Sequence, residues 1–184
     1  MKIGVFLARF QPLHKSHQWL IEKSLEENEK TYVFIGSANR SREKRNPFDI
    51  EERKAMLRKV FNKEIMSGKL IVETLNDYTS EDDKENVKVW GEYFYKNVVE
   101  KISQEEFSLY YSDDPSIMLD WFTEDIAKKI NFRFFNRNEI FSNLSATKIR
   151  EALVKNDLEY LSENLPYEIL EIREGLVNIL NNIK

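Results

Sequence analysis

Two histidines, His14 and His17, are the only imidazoles in the chain, and they stand close behind Arg9. Residues three apart share one face of a helix. Such a pair can serve as two donors to one phosphate or as half of a metal site, or the rings can be solvated or core-edge side chains with no task. Zinc needs further ligands, and none stands nearby. A second group of chemically capable residues, Ser145-Ala146-Thr147-Lys148-Ile149-Arg150, puts two hydroxyls and a guanidinium at a helix start. Helix N-termini offer N–H groups and a positive dipole end to anions, and guanidinium grips phosphate bidentately. Both segments suit an anionic substrate, while Ser145–Arg150 taken singly also reads as an ordinary helix start.

The surrounding pattern supplies elements to hold them. Ile3–Ala8 reads as a buried strand closed by Arg9 and Pro12, followed by a helix over Ser16–Asn28. Pro12 stiffens the turn, Ser16 can cap the helix, and His17 falls in its first turn. Further strands are expected at Thr31–Gly36, Leu70–Leu75, Phe107–Tyr111 and Phe132–Phe135. Helices are expected from a capping box at Asp49 and Glu52 to about Asn62, and at Val87–Ile102, Ile117–Ile130, Ser145–Asn156 and Tyr167–Ile183. Strand–helix alternation without hairpin signals implies an α/β class: a doubly wound, mostly parallel Rossmann-like sheet of five to six strands with C-terminal helices. In such sheets the ligand lies outside the carboxyl ends of the strands. The loops at 8–17, 36–49, 76–86, 112–115 and 136–147 should therefore line the site.

Composition removes other classes. The 184 residues suit one domain, with 145–184 as its C-terminal helical part. Cys is absent, which excludes disulfides, a thiolate nucleophile and Cys-ligated metals. With 28 Lys+Arg against 32 Asp+Glu the net charge is -4, so general nucleic-acid binding is not expected and an anion must be caught locally. The Arg40–Arg45 loop is a basic island; it reads either as a wet loop or as a phosphate contact through Arg45, and it lacks the interleaved aromatics of an RNA patch. No apolar run approaches a signal core or a bilayer span, so a cytoplasmic protein with no membrane partner is expected. The glycine loops G-x-G-x-x-G and G-x-x-x-x-G-K-[ST] do not occur.

Ala8-Arg9-Phe10-Gln11-Pro12-Leu13-His14-Lys15-Ser16-His17 resembles the G-R-F-x-P-x-H-x-G-H signature of the HxGH-type nucleotidyltransferase superfamily, with Ala8 and Ser16 where the family has Gly. Ser145–Arg150 resembles its second signature, S-[SAG]-T-x-[IV]-R. Ile35-Gly36-Ser37-Ala38, Arg45-Asn46-Pro47-Phe48, Glu52-Arg53 and Tyr111–Pro115 resemble the archaeal-type nicotinamide-mononucleotide (NMN) adenylyltransferases, also found fused to Nudix domains in bacteria. The likeness runs over nearly the whole chain, leaving no residues for a Nudix domain.

The resemblance implies ATP and NMN as substrates, NAD and pyrophosphate as products, and Mg²⁺ carried by ATP rather than by protein side chains. It implies catalytic roles for His14, His17, Arg9 and Arg150. Ala8, Phe10, Asp114, Arg137, Ser145 and Thr147 would join them on ATP. Gly36, Ser37, Arg45, Asn46, Phe48, Asp83 and Trp90 would hold NMN, with Asp77 competing with Asp83 for the pyridine. Trp90 also fits a core stripe with Val87 and Phe94. The alternatives are another transferase of the superfamily, such as a pantetheine-phosphate adenylyltransferase or a cytidylyltransferase, or a non-catalytic nucleotide sensor. A homo-oligomer is compatible with the sequence.

Overall fold

Alternate residues of the first strand face opposite ways, and both ways are apolar: Ile3 and Val5 enter one core cluster, Phe6 the other. The second strand repeats the pattern, with Tyr32 and Phe34 on one side and Val33 and Ile35 on the other. Strands apolar on both faces must be covered on both faces, the condition of a parallel sheet layered with helices. The computed structural model has this architecture, and it describes residues 1–77, 87–112, 115–142 and 144–183.

Five strands, β1 (Ile3–Ala8), β2 (Lys30–Ile35), β3 (Leu70–Thr74), β4 (Phe107–Tyr111) and β5 (Ile130–Phe134), form one sheet in the order β3-β2-β1-β4-β5. Every pairing is parallel; Phe6 lies beside Val33 of β2 and Tyr110 of β4. The helices α1 (Lys15–Glu27), α2 (Ile50–Val60) and α3 (Asn62–Met66) connect the first three strands. Of these, α1 and α2 bury Leu20, Ile21, Met56 and Leu57 against one face. On the opposite face α4 (Val87–Ile102) buries Phe94, Tyr95, Val98 and Ile102. The chain moves outward from β1 through β2 to β3, then returns to place β4 on the other side of β1. This reversal opens a crevice beyond the carboxyl ends of β1 and β4.

The expected helix over 117–130 is instead two short ones, α5 (Pro115–Asp120) and α6 (Glu124–Ala127), and β5 begins at Ile130 rather than Phe132. The break lets Phe122 enter the core while Trp121, its neighbour, packs edge-on against Trp90 at 4.7 Å. After α7 (Arg137–Ile140), which the sequence pattern did not indicate, come α8 (Ala146–Lys155), α9 (Leu158–Asn164), α10 (Tyr167–Glu171) and α11 (Arg173–Asn181). The single helix expected from Tyr167 is broken at Ile172, and Ile169 and Leu176 on either side reach the same core.

Gly91 is what allows Trp121 this position. A Cβ at residue 91 would fall 1.8 Å from the Trp121 carbonyl oxygen, a backbone atom that cannot rotate away. Gly91→Ala should therefore destabilise the fold by about 1–3 kcal/mol, as overpacked cores do. Urea denaturation measures this, and an unchanged midpoint would contradict the close approach of α4 to the Trp121 turn.

Candidate active site

The β1–α1 turn is built before any ligand arrives. Phe10 adopts a left-handed conformation, φ 55°, and its ring is buried. Gln11, also buried, grips the distant Phe48 backbone twice: its Nε2 donates to the Phe48 carbonyl and its Oε1 accepts from the Phe48 N–H, both at 2.9 Å. Phe48 is a fully buried core side chain and is not among the residues that line the cleft. Asn46 is buried too and donates to Glu43; it does not line the cleft either. The N-cap of α1 is His14, with no side-chain cap bond, so Ser16 does not cap the helix as expected but sits buried within its first turn.

His14 and His17 stack at 3.6 Å between ring centroids, and Phe10 lies 4.9 Å from His17. Both Nδ1 atoms are buried without a hydrogen-bond partner. Burial, and then the Arg137 charge, push the His14 pKa down to about 3. His17 is held well below the usual imidazole range by burial, then by His14 and Arg137. Both rings are neutral at physiological pH, each keeping one N–H donor and one acceptor nitrogen.

The second segment arrives from α8. Ser145 caps that helix, its side chain accepting from the Lys148 N–H at 3.3 Å. One turn on, Arg150 Nη1 donates to the Gln11 carbonyl at 2.8 Å and Nη2 to Thr147 Oγ1 at 3.3 Å. Burial lowers the Arg150 pKa first, and the charges of Arg9 and Arg45 lower it further. From the end of β5, Arg137 donates to Ser112 Oγ at 3.1 and 3.2 Å.

These residues surround a cleft of about 760 Å³. Ala8, Arg9, Phe10, His14, His17, Arg137, Ser145, Thr147 and Arg150 line it, as do Gly36, Ser37, Arg45 and Trp90. Among the described lining residues four arginines therefore face one carboxylate, Asp77, a net positive set in a chain of net charge -4. Asp83 and Asp114 lie outside the described residues. Two other arginines of the basic loop are spent on the fold: Arg40 pairs with Glu43, and Arg42 with Asp49 and Glu52 of the capping box at the start of α2. Among the described residues no group of three His, Asp or Glu could hold a metal ion, and no helix is long and apolar enough to cross a membrane.

Sequence reasoning missed Gln11 and Trp121. The signal for Trp121 was Thr123 followed by Glu124 and Asp125, a helix start inside an apolar run. Gln11 carries no local signal, because both of its Phe48 bonds span 37 residues.

Residues 5–152 match the model of the cytidylyltransferase-like family. The chain belongs to that family. Among relatives of this cytidylyltransferase-like chain, the nicotinamide-nucleotide adenylyltransferase of Thermococcus sibiricus is 32% identical over 169 residues, covering 91% of this chain and 81% of the relative. That of Thermoplasma volcanium is 28% identical over 90% of this chain and 82% of the relative. The fold matches a bifunctional NMN adenylyltransferase/ADP ribose pyrophosphatase of Francisella tularensis, complexed with AMP and Mn ion, with TM-score 0.64 and 20% identity. That match spans 96% of this chain and 52% of the larger one.

The neutral histidines make stability pH-dependent. Unfolded histidine takes up a proton below about pH 6.5, whereas folded His14 does so only near pH 3. The unfolded state therefore gains protons first, and stability falls as pH drops from about 6.5, by up to about 1.4 kcal/mol per pH unit for each such histidine. Unfolding free energies at pH 7 and pH 5 measure the loss. A His14→Asn/His17→Asn variant should lose less, and an equal loss would mean the rings are not buried neutral.

Proposed function

We propose that this chain is a nicotinamide-nucleotide adenylyltransferase, transferring the AMP moiety of ATP to NMN to form NAD and pyrophosphate. The observation that carries this reading is the bond from Arg150 to the Gln11 carbonyl, which brings both signature segments to one cleft. The whole-length likeness to nicotinamide-nucleotide adenylyltransferases supports the choice of acceptor over other transferases of the family.

In the reaction an NMN phosphate oxygen attacks the α-phosphorus of ATP. The new P–O bond forms as the bond to the bridging α–β oxygen breaks, and pyrophosphate carries away that electron pair. Phosphate monoesters lose their second proton near about pH 6, so the nucleophile is already a dianion and needs no general base. Catalysis then reduces to orientation and charge neutralisation. Arg9, Arg137, Thr147 and Arg150 hold the triphosphate, His14 and His17 donate to it through neutral N–H groups, and Arg45 holds the NMN phosphate.

A lining rich in guanidinium, with Asp77 as its one described carboxylate, suits a Mg²⁺ ion bound mainly by phosphate oxygens. When bound, that ion neutralises charge on the leaving pyrophosphate.

Asp77 gives the mononucleotide side its selectivity. Its Oδ1 accepts from Ser37 Oγ at 2.8 Å and its N–H donates to Asn39 Oδ1 at 2.9 Å. Oδ2 is buried with no hydrogen-bond partner, in a carboxylate that lines the cleft with Val87 and Trp90. A buried acceptor calls for a donor, which the amide of nicotinamide supplies and the carboxylate of nicotinate does not.

Purified protein with ATP, Mg²⁺ and NMN should form NAD, and His17→Ala should lower turnover by roughly 10²–10³-fold with its circular dichroism unchanged. No dinucleotide from folded wild-type protein, but nucleotide binding by calorimetry, would favour a sensor. Competition between the two mononucleotides should favour NMN over the nicotinate form by about ten- to a hundredfold, the size of one unpaired buried polar group. Asp77→Asn should narrow that ratio; an unchanged ratio would remove Asp77 from acceptor selection.

A further inference from the structure

Arg53, on the first turns of α2, is fully buried, and its guanidinium meets backbone carbonyls. Nη1 donates to Arg9 O at 3.2 Å and Gly36 O at 2.8 Å; Nη2 donates to Ser37 O at 3.1 Å and Arg40 O at 3.4 Å; Nε donates to Asp49 O at 3.2 Å. Guanidinium has five N–H donors in a rigid plane, and each has an acceptor here. Burial lowers its pKa, the Asp49 and Asp77 charges oppose that, and the group stays cationic.

Three of the five carbonyls belong to lining residues on both sides of the cleft. Arg9 follows β1 on the triphosphate side, whereas Gly36 and Ser37 follow β2 on the mononucleotide side. Ser37 is held in a left-handed conformation, φ 48°, unusual for a residue with a Cβ, and its hydroxyl donates to Asp77. Such strain persists only where the surroundings hold it. The helix carrying Arg53 is itself fixed at its start by the Asp49–Glu52 capping box, which Arg42 clamps from outside.

We propose that Arg53 is a positioning residue for the transfer step, locking the spacing between the Arg9 turn and the Gly36–Ser37 turn and so the distance between the two reacting phosphates. The role rests on the adenylyltransferase reading. A lysine has three donors and no fork, so it can satisfy at most three of the five carbonyls; a methionine satisfies none.

The test measures kcat and both KM values for wild type, Arg53→Lys, Arg53→Met and a control, Met56→Ala, which removes a buried side chain from the same helix without touching the cleft. Rates are taken per folded molecule, from thermal melts of each variant. Arg53→Lys should lose about tenfold in kcat and Arg53→Met about 10²-fold, with smaller changes in KM, whereas Met56→Ala keeps its kcat. Equal kcat for Arg53→Lys, Arg53→Met and Met56→Ala would overturn the proposal and leave Arg53 a stabilising residue only. Should Arg53→Met fail to fold, the Arg53→Lys comparison decides alone. Wild-type protein that makes no dinucleotide would instead overturn the functional reading beneath it.

Discussion

The hydrogen bond between the Arg150 guanidinium and the Gln11 carbonyl spans 139 positions of sequence, and the site depends on it. Bonds to charged groups contribute about 1.5–3 kcal/mol when half-buried like this one. That energy does not fold the sheet, which two apolar layers already stabilise. It sets where α8 lands on the turn between β1 and α1. Gln11 passes the constraint on, since its side chain holds Phe48 while its carbonyl receives Arg150. Three loops that diverge in sequence are thus held to one edge of the sheet, where strand order reverses and a crevice must open.

Charge is divided unequally across that edge. The arginines supply fixed cations, and burial first, then the Arg9 and Arg45 charges, lowers the Arg150 pKa. Two further imidazolium charges among them would be costly, and burial keeps both histidines neutral instead. Neutral donors can approach a phosphate without adding to the repulsion in the empty cleft. In the proposed reaction the guanidiniums would provide attraction and the imidazoles directed hydrogen bonds. On the proposed function, this arrangement is what would let an acidic protein without a glycine-rich phosphate loop hold a polyphosphate.

Much of the fold was legible because its signals are local. Ile3–Ala8, Val87–Ile102 and Phe107–Tyr111 begin and end where their apolar patterns do, and the Asp49–Glu52 capping box marks α2 correctly. The helix breaks were harder to read: apolar periodicity continues through Trp121-Phe122 and through Ile172, and only tertiary packing decides that neighbouring side chains part. Ser16 looked like a cap because of its type, yet the helix starts one residue before it and the hydroxyl is buried. Phe48 stands in a motif beside Arg45, yet Arg45 lines the cleft while Phe48 is buried in the core, so one motif mixes lining residues with residues that hold the loop. Arg53 belongs to the second kind, and its five carbonyl partners are visible only in three dimensions.

Because the chain has 2 His, imidazole ¹⁵N resonances report on the site and nowhere else. The most direct measurement of convergence on one polyphosphate is a titration of ¹⁵N-histidine-labelled protein at neutral pH with a non-hydrolysable ATP analogue and Mg²⁺. Both rings should appear neutral before addition, and the nitrogen resonances of both should shift together as one saturable event, an event that Arg150→Ala weakens. Resonances that stay in place at saturating nucleotide, with binding confirmed by calorimetry, would contradict the account.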